Sequence, residues 1–246
     1  MSAVRRWDEL TRTELADLAP DALLVVPVGS TEQHGPHLAT GTDALLAGEV
    51  ARRGAEAASQ PETILLAPTV AYGASDHHLP FGGTLSLRAE TFQRVLADLL
   101  ASAAAAGCRR AFLLNGHGGN TAACAVAVAE ASREHGLLCA SAIYSQLLEP
   151  GSVAAPVPGH AGLFETSLVL AVAPERVRLD RARPSPGGAA RKRLRGLSVA
   201  EPGRWQELDG FTDDPSAASA ELGAELLETC ARAAAAAFEE VAALHV

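Results

Sequence analysis

Short, unbroken apolar runs alternate along this chain with longer stretches in which apolar residues recur at helical spacing. Residues 22–28 (Ala-Leu-Leu-Val-Val-Pro-Val) form the first run, and with no polar residue alternating into it this run predicts a strand buried on both faces. Residues 63–67, 110–114 and 137–143 repeat the pattern, and residues 84–87 predict one further short strand. Between them, residues 43–58 predict a helix with Thr42 as its N-cap, 89–106 a helix stopped by Gly107, and 121–135 a helix stopped by Gly136. Residues 162–172 predict another helix, and the Ala-rich amphipathic stretch 216–244 a long last one. Strands alternating with helices of this length predict the α/β class, with a mostly parallel sheet covered on both faces. Ligands of such sheets bind beyond the carboxyl ends of the strands.

Composition narrows the picture without changing it. The 246 residues fit one large domain, 1–246, with no linker to divide it. Aromatic residues are only 4%, so the core must rest on Leu, Val and Ala. A formal net charge of −9 disfavours nucleic acid and anionic membrane surfaces as partners. The one basic tract, Arg178, Arg181, Arg183, Arg191, Lys192, Arg193 and Arg195, is broken by Pro184, Pro186 and a Gly-Gly pair and has no interleaved aromatics for base stacking, so it reads as a solvated or subunit-contact loop. Cys108, Cys124, Cys139 and Cys230 stand singly among apolar residues, without a C-x-x-C pair, and read as small core residues. No apolar run approaches the roughly 18 residues of a membrane span, and the N-terminus lacks a signal core, so a cytoplasmic location is expected.

Candidate chemistry gathers directly after two of the predicted strands. Gly29-Ser-Thr-Glu-Gln-His-Gly-Pro-His-Leu38, followed by Asp43, packs carboxylates and imidazoles of metal-ligand type together. Glu32 and His34, two apart, project to the same side of extended backbone, and Asp43 can return after a turn at Gly35-Pro36. The second cluster, Asn115-Gly-His-Gly-Gly-Asn120, lacks the order of a phosphate loop; its glycines let a ligand approach His117, which is either a metal ligand or a hydrogen-bonded turn residue. In Gly159-His-Ala-Gly-Leu-Phe-Glu-Thr-Ser167, His160 precedes a helix and Glu165 falls in its first turn, where the helix dipole alone also favours a carboxylate. The polar loop 72–84 suits an active-site wall, and on extended chain only one of His77 and His78 can face inward. No G-x-S-x-G elbow or H-E-x-x-H helix supports a serine hydrolase or a zincin.

Taken together, these clusters and the Ser75-x-x-His78-x-x-Phe81 loop resemble the creatininase (creatinine amidohydrolase) family, in order and across most of the chain. The resemblance implies a three-layer α/β/α sandwich, a homohexamer, and a hydrolase with two divalent metal ions, Zn paired with Zn, Fe or Mn. By position it implies that Glu32, Asp43 and His117 hold one ion and that His34, with Asp43 bridging, holds the second; it implies Ser75, His78 and Gly118 as substrate contacts. Creatininase proper carries a further glutamate ligand two residues after the histidine of its Asn-Gly-His motif. Here that place is Gly119, and Glu165 is the nearest replacement. The expected reaction is attack by a metal-activated hydroxide on an amide carbonyl of a small molecule, a cyclic amide first, with His160 as the acid that protonates the departing amine. Two rivals stay open, a mycofactocin-type peptidase releasing a C-terminal dipeptide and a metal-dependent sugar or polyol enzyme.

Overall fold

The computed structural model describes residues 4–149, 151–153, 159–186, 199 and 201–245. Five strands, β1 (Arg5–Arg6), β2 (Leu23–Val28), β3 (Ile64–Leu66), β4 (Arg110–Asn115) and β5 (Leu138–Ile143), form one parallel sheet in the order β1-β3-β2-β4-β5. Among the described residues seven α-helices accompany them: α1 (Arg12–Leu18), α2 (Thr42–Ala57), α3 (Ala89–Ala105), α4 (Thr121–His135), α5 (Leu163–Val172), α6 (Arg204–Glu207) and α7 (Ala220–Ala242).

The apolar runs build two cores by simple alternation. Leu23 and Val25 of β2, with Phe112 and Leu114 of β4, pack under α2, α5 and α7, while Leu24, Val26, Ala111 and Leu113 pack under α3 and α4. Both β2 and β4 are therefore buried on both faces, which is why their sequences do not alternate. The result is a three-layer α/β/α sandwich. The chain leaves β2 for β3 on one side and then crosses back over β2 to β4 on the other. Adjacent strands β2 and β4, paired from Leu23 opposite Arg110 to Val28 opposite Asn115, thus end where the connections diverge, the crevice that such sheets offer to ligands.

Helix α7 approaches α5 at Gly223, where an added Cβ would meet the Ser167 carbonyl oxygen and lie 3.0 Å from the Ala171 Cβ. Gly223→Ala is expected to destabilise the protein by about 1–3 kcal/mol, because backbone atoms cannot yield as a side chain can. Urea unfolding of the metal-free protein measures this, and an unchanged midpoint would show that the two helices can part.

Three expectations from the sequence are corrected. Residues 84–87 are not a strand of the sheet: Leu85 makes one isolated bridge to Thr31, and Leu87 donates to the Gly73 carbonyl, so the segment is a loop brace. The outer place beside β3 goes instead to Arg5–Arg6, whose exposed side chains carry no apolar signal. Thr42 is the first residue of α2 rather than its cap; Gly41 occupies the cap, and the Thr42 hydroxyl donates to Ala39 O. The helix expected from residue 216 begins at Ala220, capped by Ser219. All four cysteines are free, and three are fully buried in the apolar cores. No helix among the described residues is long and apolar enough to cross a membrane. Of the basic tract, Arg191, Lys192, Arg193 and Arg195 lie outside the described residues.

Candidate metal centre

The loop after β2 lies close against the start of α2 because residue 29 is glycine; a Cβ there would press into the backbone of Asp43 and Ala44. That contact brings Glu32 and His34 beside Asp43 in the first turn of α2. The loop after β4 is fixed by its asparagines. Asn115 accepts from the His117 amide at 3.0 Å and donates to the His117 carbonyl at 2.7 Å. Asn120 donates to Gly29 O and accepts from the Ala74 amide, joining the loops that follow β2, β3 and β4. Both asparagines are fully buried, so these bonds are structural joints rather than surface decoration.

Four side chains converge where these loops meet. Glu32, His34, Asp43 and His117 are buried, and His117 Nδ1 lies 3.2 Å from both Glu32 Oε1 and Asp43 Oδ2. His34 Nε2 lies 3.1 Å from the other Asp43 oxygen, Oδ1, and 3.9 Å from Glu165 Oε2. Carbonyl oxygens set the ring tautomers: His117 Nε2 donates to Ala74 O at 3.1 Å and His34 Nδ1 to Glu32 O at 3.1 Å, so each ring turns its other nitrogen to the carboxylates. Three groups of ligand atoms result among the described residues, Glu32–Asp43–His117, His34–Asp43–Glu165 and Glu32–His34–His160, and Asp43 is common to the first two.

These residues fit divalent ions. Ligand atoms about 2.0–2.2 Å from a tetrahedral centre stand roughly 3.3–3.6 Å apart, close to the 3.1–3.9 Å separations here. Both oxygens of Glu32 and Oδ2 of Asp43 are buried without any hydrogen bond, a costly state that a bound cation relieves.

A family model described as creatinine amidohydrolase matches residues 8–238. The chain belongs to the creatininase family. Its relatives include the mycofactocin precursor peptide peptidase of Mycobacterium tuberculosis, 35% identical over 90% of this chain and 87% of that protein. The creatinine amidohydrolase of Pseudomonas putida is 31% identical over 90% of each chain. Among solved structures, a manganese creatininase superposes with a TM-score of 0.79 at 30% identity, covering 96% of this chain and 98% of that one. A Zn–Zn creatininase variant gives 0.80 at 30% identity and 98% of each.

In this creatininase-family hydrolase the place of Gly119 is settled by packing. A Cβ at 119 would collide with the Ala74 carbonyl oxygen and the His117 ring, so no side chain can enter the site from there. Glu165 comes instead from the first turn of α5, its Oε2 held at 2.6 Å by the amide of Ala161, a non-glycine residue at φ 55. His160 Nδ1 lies 3.6 Å from Glu32 Oε1, and His78 Nε2 lies 3.4 Å from the same oxygen.

Two readings of the loop 72–84 change. His77 and His78 both face the cavity, because residues Asp76–Phe81 form a 3-10 helix, not extended chain, and adjacent side chains diverge by about 120°. His77 stacks on His117 at 5.6 Å with planes 8° apart. Ser75, expected against the substrate, is fully buried behind His117, 3.2 Å from its Nε2, and does not line the cavity. Gly118 does line it. His37 stays outside, bonded to Thr166 at 3.0 Å.

Sequence reasoning missed Gln33 and Trp205. The indole covers His77, His78 and His160 at centroid distances of 5.4, 4.6 and 5.5 Å. It arrives from α6, far along the chain, and nothing near residue 205 resembles a ligand motif. The cavity it helps to enclose measures about 520 Å³.

The ion-free centre draws protons. Burial opposes charging His34, but the carboxylates of Asp43, Glu165 and Glu32 outweigh it and lift the ring to about 10. His117 is raised against its burial by Asp43 and Glu32. Burial pushes Glu165 up to about 7, and burial beside His34 and His78 holds His160 well below the usual imidazole range. A raised histidine is protonated at neutral pH and must lose its proton to bind an ion. Zinc uptake at pH 7 should therefore release at least one proton per chain, and affinity should rise about tenfold per pH unit per proton released up to about pH 10. Calorimetry in buffers of different ionisation enthalpy reads the count, and zero release would contradict these proton positions.

Proposed function

We propose that this protein hydrolyses an amide C–N bond with two divalent ions, one held by Glu32, Asp43 and His117 and the other by His34, Asp43 and Glu165. The carrying observation is the pair of ligand triads sharing Asp43, and imidazole with carboxylate suits Zn, Fe or Mn. When bound, such ions polarise a carbonyl and make water nucleophilic near neutral pH. The chain's residues do the rest. Trp205 and Phe164 give the cavity apolar wall. His160, neutral and with its bare Nδ1 3.6 Å from Glu32 Oε1, is placed to take up the proton that the attacking water gives up and to hand it to the amine as it leaves.

Replacing that ring tests its role. His160→Ala is expected to lower kcat by about 100-fold to 10,000-fold with both ions still bound. Normal turnover, or loss of metal, would remove His160 from the proton path.

A small cyclic amide is the first substrate reading. No lysine or arginine lines the cavity among the described residues, which suits a neutral ring against an apolar wall. A short peptide is the second, favoured by the 35% identity to the Mycobacterium tuberculosis peptidase and by a cavity volume within the range that takes drug-sized ligands. The zinc- or manganese-loaded protein should be given creatinine and related lactams in parallel with peptides that can lose a C-terminal dipeptide, with products read by mass spectrometry. Lactam opening supports the first reading, dipeptide release alone the second, and neither would end the amide proposal.

A further inference from the structure

His78 and His160 stack on one wall of the cavity, ring centroids 4.3 Å apart and planes 17° apart, and Gln33 touches both. Hydrogen positions in such a cluster do not follow from heavy atoms alone. Here, backbone groups that can act in only one sense decide them. The Gly35 amide must donate, and it does so to Gln33 Oε1 at 2.9 Å; the Gly210 carbonyl must accept, and it does so from Gln33 Nε2. The amide therefore cannot be flipped.

Its second Nε2 hydrogen falls on His78 Nδ1 at 2.7 Å. That nitrogen is thus an acceptor, and the ring proton of His78 sits on Nε2, the atom turned toward Glu32. The neighbouring ring is set the other way. His160 Nε2 lies 2.9 Å from the main-chain carbonyl of Gln33, which can only accept, so His160 keeps its proton there and shows a bare Nδ1 to the cavity. One residue gives two stacked imidazoles opposite faces.

We propose that Gln33 is a positioning residue that holds His78 as a neutral N–H donor, kept from ligating an ion, so that His78 Nε2 binds the substrate oxygen on which negative charge develops. His78 belongs to none of the ligand groups around the centre although it lies as near to Glu32 as His160 does. An imidazole whose cavity-facing nitrogen bears hydrogen has no lone pair for a metal, and a fixed donor is what a developing oxyanion requires. The turn that secures Gln33 is itself constrained, with Asp209 at φ 56, Gly210 at φ 77 and Asp213 at φ 63. Thr212 in this turn also grips His160, its hydroxyl accepting from the His160 amide at 2.7 Å.

The role of His78 rests on the amide-hydrolysis reading; its tautomer does not. The test is nitrogen-detected NMR of the imidazoles in zinc-loaded protein, assigned through His78→Asn and His160→Asn, together with kinetics of Gln33→Met. That variant is close in shape, removes every side-chain hydrogen bond of Gln33 and leaves the main-chain carbonyl on His160. Expected are a wild-type His78 protonated at Nε2, a mixture of His78 tautomers in Gln33→Met with zinc content unchanged, and kcat about 100-fold to 1,000-fold lower in His78→Ala. Gln33→Met added to His78→Ala should lower kcat no further, since Gln33 acts through that ring. A wild-type His78 protonated at Nδ1 overturns the proposal, as does Gln33→Met with the tautomer unmoved. The spectrum needs no turnover, so a wild type that hydrolyses no amide overturns the amide reading, while the proton pattern judges Gln33 separately.

Discussion

Asp43→Asn is expected to lose both metal ions and all metal-dependent hydrolysis, the largest effect of any single substitution in the proposed centre. Its two oxygens are divided between the two triads: Oδ1 lies 3.1 Å from His34 and Oδ2 lies 3.2 Å from His117. Asparagine keeps the shape and one acceptor but removes the charge and turns the second atom into a donor. Burial opposes ionisation of Asp43, yet His34 and His117 keep its carboxyl well below the usual carboxylate range, so the native group is an anion at any working pH. Removing it leaves His34 and His117 with no ligand shared between them. The fall in affinity should exceed the 10–100-fold typical of losing a residue that only supports a ligand. Elemental analysis by mass spectrometry on protein purified without added metal reads the outcome directly. Two ions retained per chain would mean that the site lies elsewhere, and wild type without Zn, Fe or Mn would remove the metal proposal altogether.

How much of this was legible depends on the distance over which each contact acts. Strands β2 and β4 show in the sequence because burial on both faces writes an unbroken apolar run, and α3 and α4 because glycines mark their ends. The ligand-type residues show because they cluster at the ends of those strands. Arg5–Arg6 did not show, since a two-residue exposed edge strand needs only backbone partners. His77 was misjudged because a local 3-10 turn replaced extended chain. Gln33 and Trp205 left no trace at all: Gln33 meets His160 and Gly210 across 127 and 177 residues, and no periodicity encodes such a meeting.

Glu165→Gln is expected to reduce bound metal from two ions to one, and this separates it from both Asp43→Asn and His160→Ala. Glutamine keeps an oxygen for the Ala161 amide, so the left-handed turn before α5 keeps its anchor. What goes is the carboxylate 3.9 Å from His34 Nε2, the third member of one triad, while Glu32, Asp43 and His117 retain the other complete. Burial lifts Glu165 to about 7, so it ionises only near neutrality unless a cation favours the charged form; glutamine cannot make that change. The sign follows. As pH falls through 7 the native second site weakens by protonation of Glu165, and the variant should already behave at high pH as wild type does at low pH. Supplying the carboxylate from the position it occupies in creatininase proper should fail, because Gly119→Glu would drive its Cβ into the Ala74 carbonyl and the His117 ring. The double variant, Glu165→Gln with Gly119→Glu, is therefore expected to lose the first ion as well. A double variant that regains two ions would show instead that the loop after β4 can shift to admit a side chain, and that Glu165 is not required as a ligand.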